Sequence, residues 1–222
     1  MNKILDSIRE CALDIAFPKH CIFCNKLIPA GEKICICNNC SDKTLWLRTV
    51  VIDDKSGCEE FMCPLKYEGN VRESMLKFKF KSIKYLGFTF AKEMAAMLDE
   101  RKFFNNEVII TAVPIHGIRD RAYNQSEVLA RVICELTGTD YCGNLLYKIK
   151  PIERISGMGY NDKKFFSKNA FHINSRYNLS GKTILIVDDI YTSGTTLKEL
   201  STELRMRGAK AVYGITACYT GE

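Results

Sequence analysis

Two groups of side chains have the types and the spacing to do chemistry. The first is Cys21-Ile22-Phe23-Cys24 followed by Cys37-Asn38-Asn39-Cys40, two CxxC knuckles separated by twelve residues. A CxxC bend turns two thiolates to one side of the backbone, and two such bends meeting form the four-sulfur tetrahedron that zinc prefers. Cys21, Cys24, Cys37 and Cys40 fill all four positions, so the expected zinc site is closed and structural. Cys35 and His20 stand beside this set and could compete as ligands. The second group is Ile184-Leu185-Ile186-Val187-Asp188-Asp189-Ile190-Tyr191-Thr192-Ser193-Gly194-Thr195-Thr196. Its four apolar residues predict a buried strand whose carboxyl end delivers Asp188 and Asp189 to the rim of a parallel sheet, where open α/β folds place ligands. Thr192, Ser193, Thr195 and Thr196 then surround Gly194 ahead of a helix, so backbone N–H groups, hydroxyls and the positive helix end converge on one point. That point suits a phosphate monoester. Carboxylates accept hydrogen bonds from vicinal hydroxyls, so the cradle and the acidic pair together describe a ribose 5-phosphate held at both ends.

No GxxxxGK[ST] and no GxGxxG occurs, which argues against a P-loop nucleotidase and a dinucleotide site. Lys66, Arg72, Lys77, Lys79, Lys81 and Lys84 interleave with Tyr67, Phe78, Phe80 and Tyr85. Basic residues attract phosphate backbones and exposed aromatics stack on bases, so Lys77, Lys79, Lys81 and Lys84 are candidate contacts to single-stranded nucleic acid. A lysine-rich face that is only solvated, with Phe78 and Phe80 turned to the core, is the competing reading. The lone His116 reads as a packed or solvated residue, and Tyr191 as a lid or packing residue rather than an acid.

The elements that must position these groups follow from the apolar pattern. The chain has 222 residues, 46% hydrophobic and 26% charged, with a net charge of +6, which excludes collagen-like and disordered classes and favours anionic partners. No apolar run is long enough to cross a bilayer and no secretory leader is evident, so a cytoplasmic protein with reduced thiols is expected. Residues 3–15 show a one-faced helical spacing closed by Pro18. Beyond the cysteines the spacing predicts a strand over 61–67, a turn at 68–70, helices over 71–80 and 85–98, a strand over 108–113 and a helix over 126–136. Residues 148–169 lack periodicity and read as a functional loop or lid. A strand over 183–187, a loop over 188–195, a helix over 196–207 and a strand over 211–218 complete the chain. Strands alternating with helices imply a parallel sheet with crossover helices, an α/β core with a small cysteine module ahead of it.

The stretch Val187 to Thr196 resembles the phosphoribosyl-pyrophosphate motif of type I phosphoribosyltransferases, and the two knuckles ahead of it resemble the ComF family. Pro64-Leu65-Lys66-Tyr67-Glu68-Gly69, Leu76-Lys77-Phe78-Lys79, Val113-Pro114-Ile115-His116 and Arg121-Ala122-Tyr123-Asn124-Gln125-Ser126 agree with family landmarks in the family's order. The resemblance implies a type I phosphoribosyltransferase-like parallel-sheet core over residues 58–222, behind a helix and four-cysteine zinc module over 1–57. It implies binding of phosphoribosyl pyrophosphate with magnesium, an acceptor left open, and a link to DNA uptake in natural competence. In its terms Asp188 and Asp189 take the ribose hydroxyls and are catalytic, and Thr192, Ser193, Gly194, Thr195 and Thr196 take the 5-phosphate. Pro114, Ile115, His116 and Gly117 occupy the pyrophosphate loop, with Arg119 and Arg121 to neutralise the leaving group. The chain departs from the family at Ala122, where glycine is usual, and at Lys163, Lys164 and Phe166 in the hood segment. Those departures leave the ribose-phosphate pocket intact and put turnover in question. A non-enzymatic single-stranded DNA-binding factor of the uptake machinery, with a vestigial pocket, is therefore the alternative.

Overall fold

The four long apolar runs all enter one sheet. The computed structural model describes residues 20–29, 36–44, 46–51, 56–81, 83, 85–103, 108–115, 123–148 and 171–221. In chain order these form α1 (Asn38–Ser41), β1 (Trp46–Val51), β2 (Phe61–Lys66), α2 (Gly69–Phe80), α3 (Tyr85–Glu100) and β3 (Val108–Ala112). They continue as α4 (Gln125–Thr137), β4 (Leu146–Lys148), β5 (Phe171–Ile173), β6 (Thr183–Tyr191), α5 (Thr195–Met206) and β7 (Ala211–Tyr219). The main sheet has the order β1-β2-β7-β6-β3, and β4 with β5 forms a separate two-stranded ladder. β2, β7, β6 and β3 run parallel, while β1 adds antiparallel to the outer edge of β2. The parallel core is the expected α/β architecture.

Alternation along β6 divides the interior into two layers. Leu185 and Val187 pack with Met75 and Phe78 of α2, Leu86, Phe90 and Met94 of α3, and Leu129 and Ile133 of α4. Ile184 and Ile186 pack on the other face with Leu197, Leu200 and Leu204 of α5. This is the period-two signature of a strand buried on both sides. Leu197, Leu200 and Leu204 thus form one buried face of α5, whereas Leu136 of α4 stays 43% exposed in the last turn. Among the scattered cysteines, Cys63, Cys134 and Cys218 are buried, and Cys58 and Cys142 are half-buried.

The structure departs from the sequence reading in three places. α2 begins at Gly69, inside the expected turn. β6 does not stop at Val187: the ladder continues with Asp188 opposite Thr216 and Ile190 opposite Cys218, so both aspartates lie within the strand. Their polar side chains are accommodated because each finds a partner, described below. β1, β4 and β5 lack the alternation that announces a strand and were not expected. The helix expected over 3–15 and most of the 148–169 loop lie outside the described residues.

The cysteine knuckles are not a detached appendage. Cys21, Ile22, Phe23, Ile28, Ile36 and Cys40 join the same apolar cluster as α2, α3 and α4. Ser74 of α2 donates its hydroxyl to the carbonyl of Ile22 at 2.7 Å.

Candidate functional site

The four predicted ligands meet. The Sγ atoms of Cys21, Cys24, Cys37 and Cys40 all lie within 4.8 Å of one another, with Cys24 and Cys37 at 3.6 Å. Zn–S bonds of about 2.3 Å in a tetrahedron place sulfurs roughly 3.8 Å apart, so the set fits zinc. The first knuckle is closed by Asn25 N donating to Cys21 O at 2.8 Å, the second by Cys40 N donating to Cys37 O at 2.9 Å. Burial works against a thiolate at Cys21, but the backbone N–H groups of Cys37, Cys24 and Phe23 outweigh it and lower its pKa to about 7. At Cys40, burial and the neighbouring sulfurs push the thiol up to about 12. A bound cation would favour the thiolate of each. His20 bridges to Leu27 through its backbone and is not in the sulfur cluster. Cys35 lies outside the described residues.

The second group also converges. Gly194 adopts φ +73°, the left-handed conformation that L side chains rarely take, and this reversal turns the chain from β6 into α5. Ser193 and Thr195 hydroxyls meet at 2.9 Å across it. Asp188, Thr192, Ser193, Gly194, Thr195 and Thr196 line a cavity of about 30 Å³, together with Ile190, Tyr191, Leu197 and Thr216. The free N–H groups of the first turn of α5 open here, the geometry that binds anions. Tyr191 packs its ring 4.2 Å from Phe61 and 5.5 Å from Tyr219.

The acidic pair is less symmetric than its sequence. Oδ1 of Asp188 accepts from Ser126 Oγ at 2.7 Å and from the backbone N–H of Asp189 at 2.8 Å. Burial, then the charge of Asp189, pushes the Asp188 carboxyl up to about 7 against those two bonds and the attraction of Lys79. Asp189 instead gives Oδ2 to Lys79 Nζ at 2.9 Å, with the two side chains 9% and 13% exposed. Lys79 thus stands apart from the other basic candidates. Lys77 is half-buried and Lys81 exposed at the end of α2, and Lys84 lies outside the described residues. The physical reason is register: the carboxyl end of α2 reaches the carboxyl end of β6, where a buried carboxylate needs a counter-charge.

Residues 123–126 hold this arrangement together. Tyr123 donates its hydroxyl to the carbonyl of Phe78, and Gln125 donates Nε2 to the carbonyl of Lys79 at 3.1 Å. Both carbonyls are in the last turn of α2, where no intrahelical partner remains. Asn124 caps α4 by accepting from Ser126 N at 3.1 Å, and its Nδ2 donates to the carbonyl of Val113 at 3.0 Å. One tetrapeptide therefore ties α2, α4 and the end of β3 to Asp188. Sequence reasoning gave Ser126 no role of its own, read Lys79 as a nucleic-acid contact rather than as the partner of Asp189, and missed Thr216. The short polar run after Arg121 was the available signal for the first; the other two depend on which strand and helix lie alongside β6.

Pro114 and Ile115 follow β3 and line a wider depression of about 430 Å³ with Tyr123, Asn124, Glu127 and Tyr141. His116, Gly117, Arg119 and Arg121 lie outside the described residues.

The family described as "Phosphoribosyl transferase domain" matches residues 80–222. Competence protein F of Haemophilus influenzae is 26% identical over 142 residues, 61% of this chain and 62% of that protein. DNA utilization protein YhgH of Salmonella typhi is 25% identical over 209 residues, 87% of this chain and 82% of that one. Competence protein ComFC of Streptococcus pneumoniae is 29% identical over 148 residues, 66% of this chain and 62% of that protein. The chain thus spans less than two thirds of the first and third relatives. Among solved structures, a hypoxanthine phosphoribosyltransferase from Staphylococcus aureus shares 16% identity over 60% of this chain and 62% of its own, with a TM-score of 0.40. No helix among the described residues is long and apolar enough to cross a membrane. The chain belongs to the phosphoribosyltransferase domain family and, within it, to the ComF family.

Proposed function

We propose that the protein binds phosphoribosyl pyrophosphate in the cytoplasm and acts in DNA uptake, a reading supported by relatives named for competence and DNA utilization. The observation that carries this reading is the shared cavity of Asp188 with Thr192, Ser193, Gly194, Thr195 and Thr196. First-turn amides and hydroxyls hold the 5-phosphate at one end. Asp188 accepts a hydrogen bond from the sugar at the other. Pro114 and Ile115 open the segment that would meet the pyrophosphate, with His116, Gly117, Arg119 and Arg121 next in the chain.

The described residues do not supply a carboxylate cage for magnesium, because Asp189 is already paired with Lys79. Magnesium would enter with the ligand, where it would neutralise charge on the leaving group. If transfer occurs, pyrophosphate leaves C1 as the acceptor's bond forms, and donors from the segment after Ile115 would stabilise the departing oxygens. The decisive experiment is calorimetric titration with phosphoribosyl pyrophosphate and magnesium, followed by an assay of pyrophosphate release with candidate acceptors. Binding that weakens tenfold or more in Asp188→Asn is expected. A wild-type protein that does not bind overturns the reading.

One observation favours a second reading, single-stranded DNA binding. Phe80, Tyr85 and Phe88 are 58%, 56% and 42% exposed around the junction of α2 and α3, beside the exposed Lys81. Such a surface can stack bases while lysines meet phosphates. Salt-sensitive binding that is lost in Lys77→Glu/Lys81→Glu would support it, and unchanged binding would reject this surface.

A further inference from the structure

The first turn of α4 touches both halves of the proposed ligand site. Ser126 is buried, and its hydroxyl donates to Asp188 Oδ1 at 2.7 Å. The backbone N–H of Asp189 reaches the same oxygen at 2.8 Å, so Oδ1 holds two donors. Among the described residues no hydrogen bond falls on Asp188 Oδ2, and Asp188 lines the cavity of the phosphate cradle. Asn124 uses both ends of its amide within the protein. Its Oδ1 accepts from Ser126 N at 3.1 Å, and its Nδ2 donates to the carbonyl of Val113 at 3.0 Å. Val113 in turn donates its N–H to the carbonyl of Val187 at 3.0 Å, and Val187 is the residue before Asp188. Asp188, Ser126, Asn124, Val113 and Val187 therefore close a ring.

The chain leaves this ring at Pro114, which has no N–H with which to anchor itself. The departure of the segment is set instead at Val113, whose N–H and carbonyl are both held. Pro114 and Ile115 then line the wide depression beside Asn124. A ligand that spans two subsites gains affinity when their spacing is fixed beforehand, because less order has to be imposed on binding. We propose that Ser126 and Asn124 are positioning residues for opposite ends of one ligand. Ser126 orients the Asp188 carboxylate for the sugar, and Asn124 fixes the start of the pyrophosphate segment, so the first turn of α4 sets the span between them. This rests on the reading above of a sugar-phosphate pocket whose pyrophosphate end begins at Pro114 and Ile115.

The test is calorimetry on the full chain with ribose 5-phosphate and, separately, phosphoribosyl pyrophosphate with magnesium. Asn124→Ser keeps a helix cap but is too short to reach the Val113 carbonyl. It should weaken phosphoribosyl pyrophosphate at least about fivefold more than ribose 5-phosphate, a selective loss that a general weakening of the fold would not produce. Ser126→Ala should weaken both ligands about fivefold or more. Its action through Asp188 is read in a double-mutant cycle, at ligand concentrations that saturate Asp188→Asn: in that background Ser126→Ala should cost no more than about twofold further. Thermal melts confirm that each variant is folded, and Asn124→Thr, another capping residue, replaces Asn124→Ser with the same expectation if the serine variant is not. A folded Asn124 variant that weakens the two ligands equally, or neither, overturns the inference. So does a Ser126→Ala loss that is absent, or equally large with and without Asp188. Wild type that binds phosphoribosyl pyrophosphate but not ribose 5-phosphate also overturns it, because the two ends then do not act separately. These results leave ligand binding itself standing. If wild type binds neither ligand, the functional reading falls and this inference falls with it.

Discussion

Asp188 is asked to remain an acceptor in a place that disfavours its charge. Burial and the adjacent Asp189 raise its pKa to about 7, from about 3.9 expected in an unfolded chain. Between those values the folded protein holds a proton that the unfolded chain has released. The contribution of Asp188 to stability is therefore greatest below about pH 4, declines as pH rises toward about 7, and is flat above. Denaturant melts from pH 4 to 8 should show this decline, and Asp188→Asn should flatten it. An equal slope in the variant would assign the effect to other groups. Ser126→Ala removes the 2.7 Å bond to Asp188 and should shift the decline to higher pH. At this scale the sequence is informative where chemistry is local. The four cysteines and the Thr192–Thr196 cradle are legible because neighbours in the chain are neighbours in space. Lys79 looked like one more basic residue on a helix, since nothing in its own segment reveals the carboxylate that faces it across the fold.

Helix α2 acts on the site through its carboxyl end, and small changes there should be felt. Tyr123→Phe leaves the carbonyl of Phe78 without its side-chain donor and should cost about 1–3 kcal/mol in denaturant unfolding. Gly87 of α3 lets the fully buried Phe78 ring approach closely: a Cβ built there would lie 2.7 Å from Phe78 Cε2 and 2.8 Å from Cζ. Gly87→Ala should therefore destabilise by about 1–3 kcal/mol through overpacking, in spite of alanine's better helix propensity. A stabilised Gly87→Ala would show that α2 and α3 can move apart freely. The apolar period placed α2 and α3 almost to the residue, because a helix packed on a sheet must show one face to it. It did not place the end of β6. Polar residues usually mark a strand's end, but here the partner strand β7 continues and Ser126 and Lys79 supply the polar contacts, so Asp188 and Asp189 stay in the ladder.

Across the whole molecule the cysteine knuckles and the sheet share an interior. Ile22, Phe23 and Ile36 pack in the cluster that supports α2 and α3, so metal loss should be felt beyond the knuckle. Zinc analysis of the purified protein should find about one ion per chain, held by Cys21, Cys24, Cys37 and Cys40. Stripping it with a strong chelator, or replacing Cys24 by Ser, should lower the main melting transition by at least about 5 °C. An unchanged transition would mean that the knuckle folds independently of the sheet. The fold class was readable from alternating strands and helices. The union of the two parts was not, since it depends on β1 joining β2 and on Ser74 reaching Ile22, contacts between segments distant in the chain.

The family match begins at residue 80, one position after Lys79. A truncated protein starting there would keep every matched position and still be chemically altered. It would lack β2, turning β7 from an interior strand into an unpaired border open to adhesion. It would also leave Asp189 without its counter-ion. The matched domain is thus not a self-sufficient miniature: the leading third of the chain is built into its foundations, and a trimmed version would misreport what the intact protein can hold.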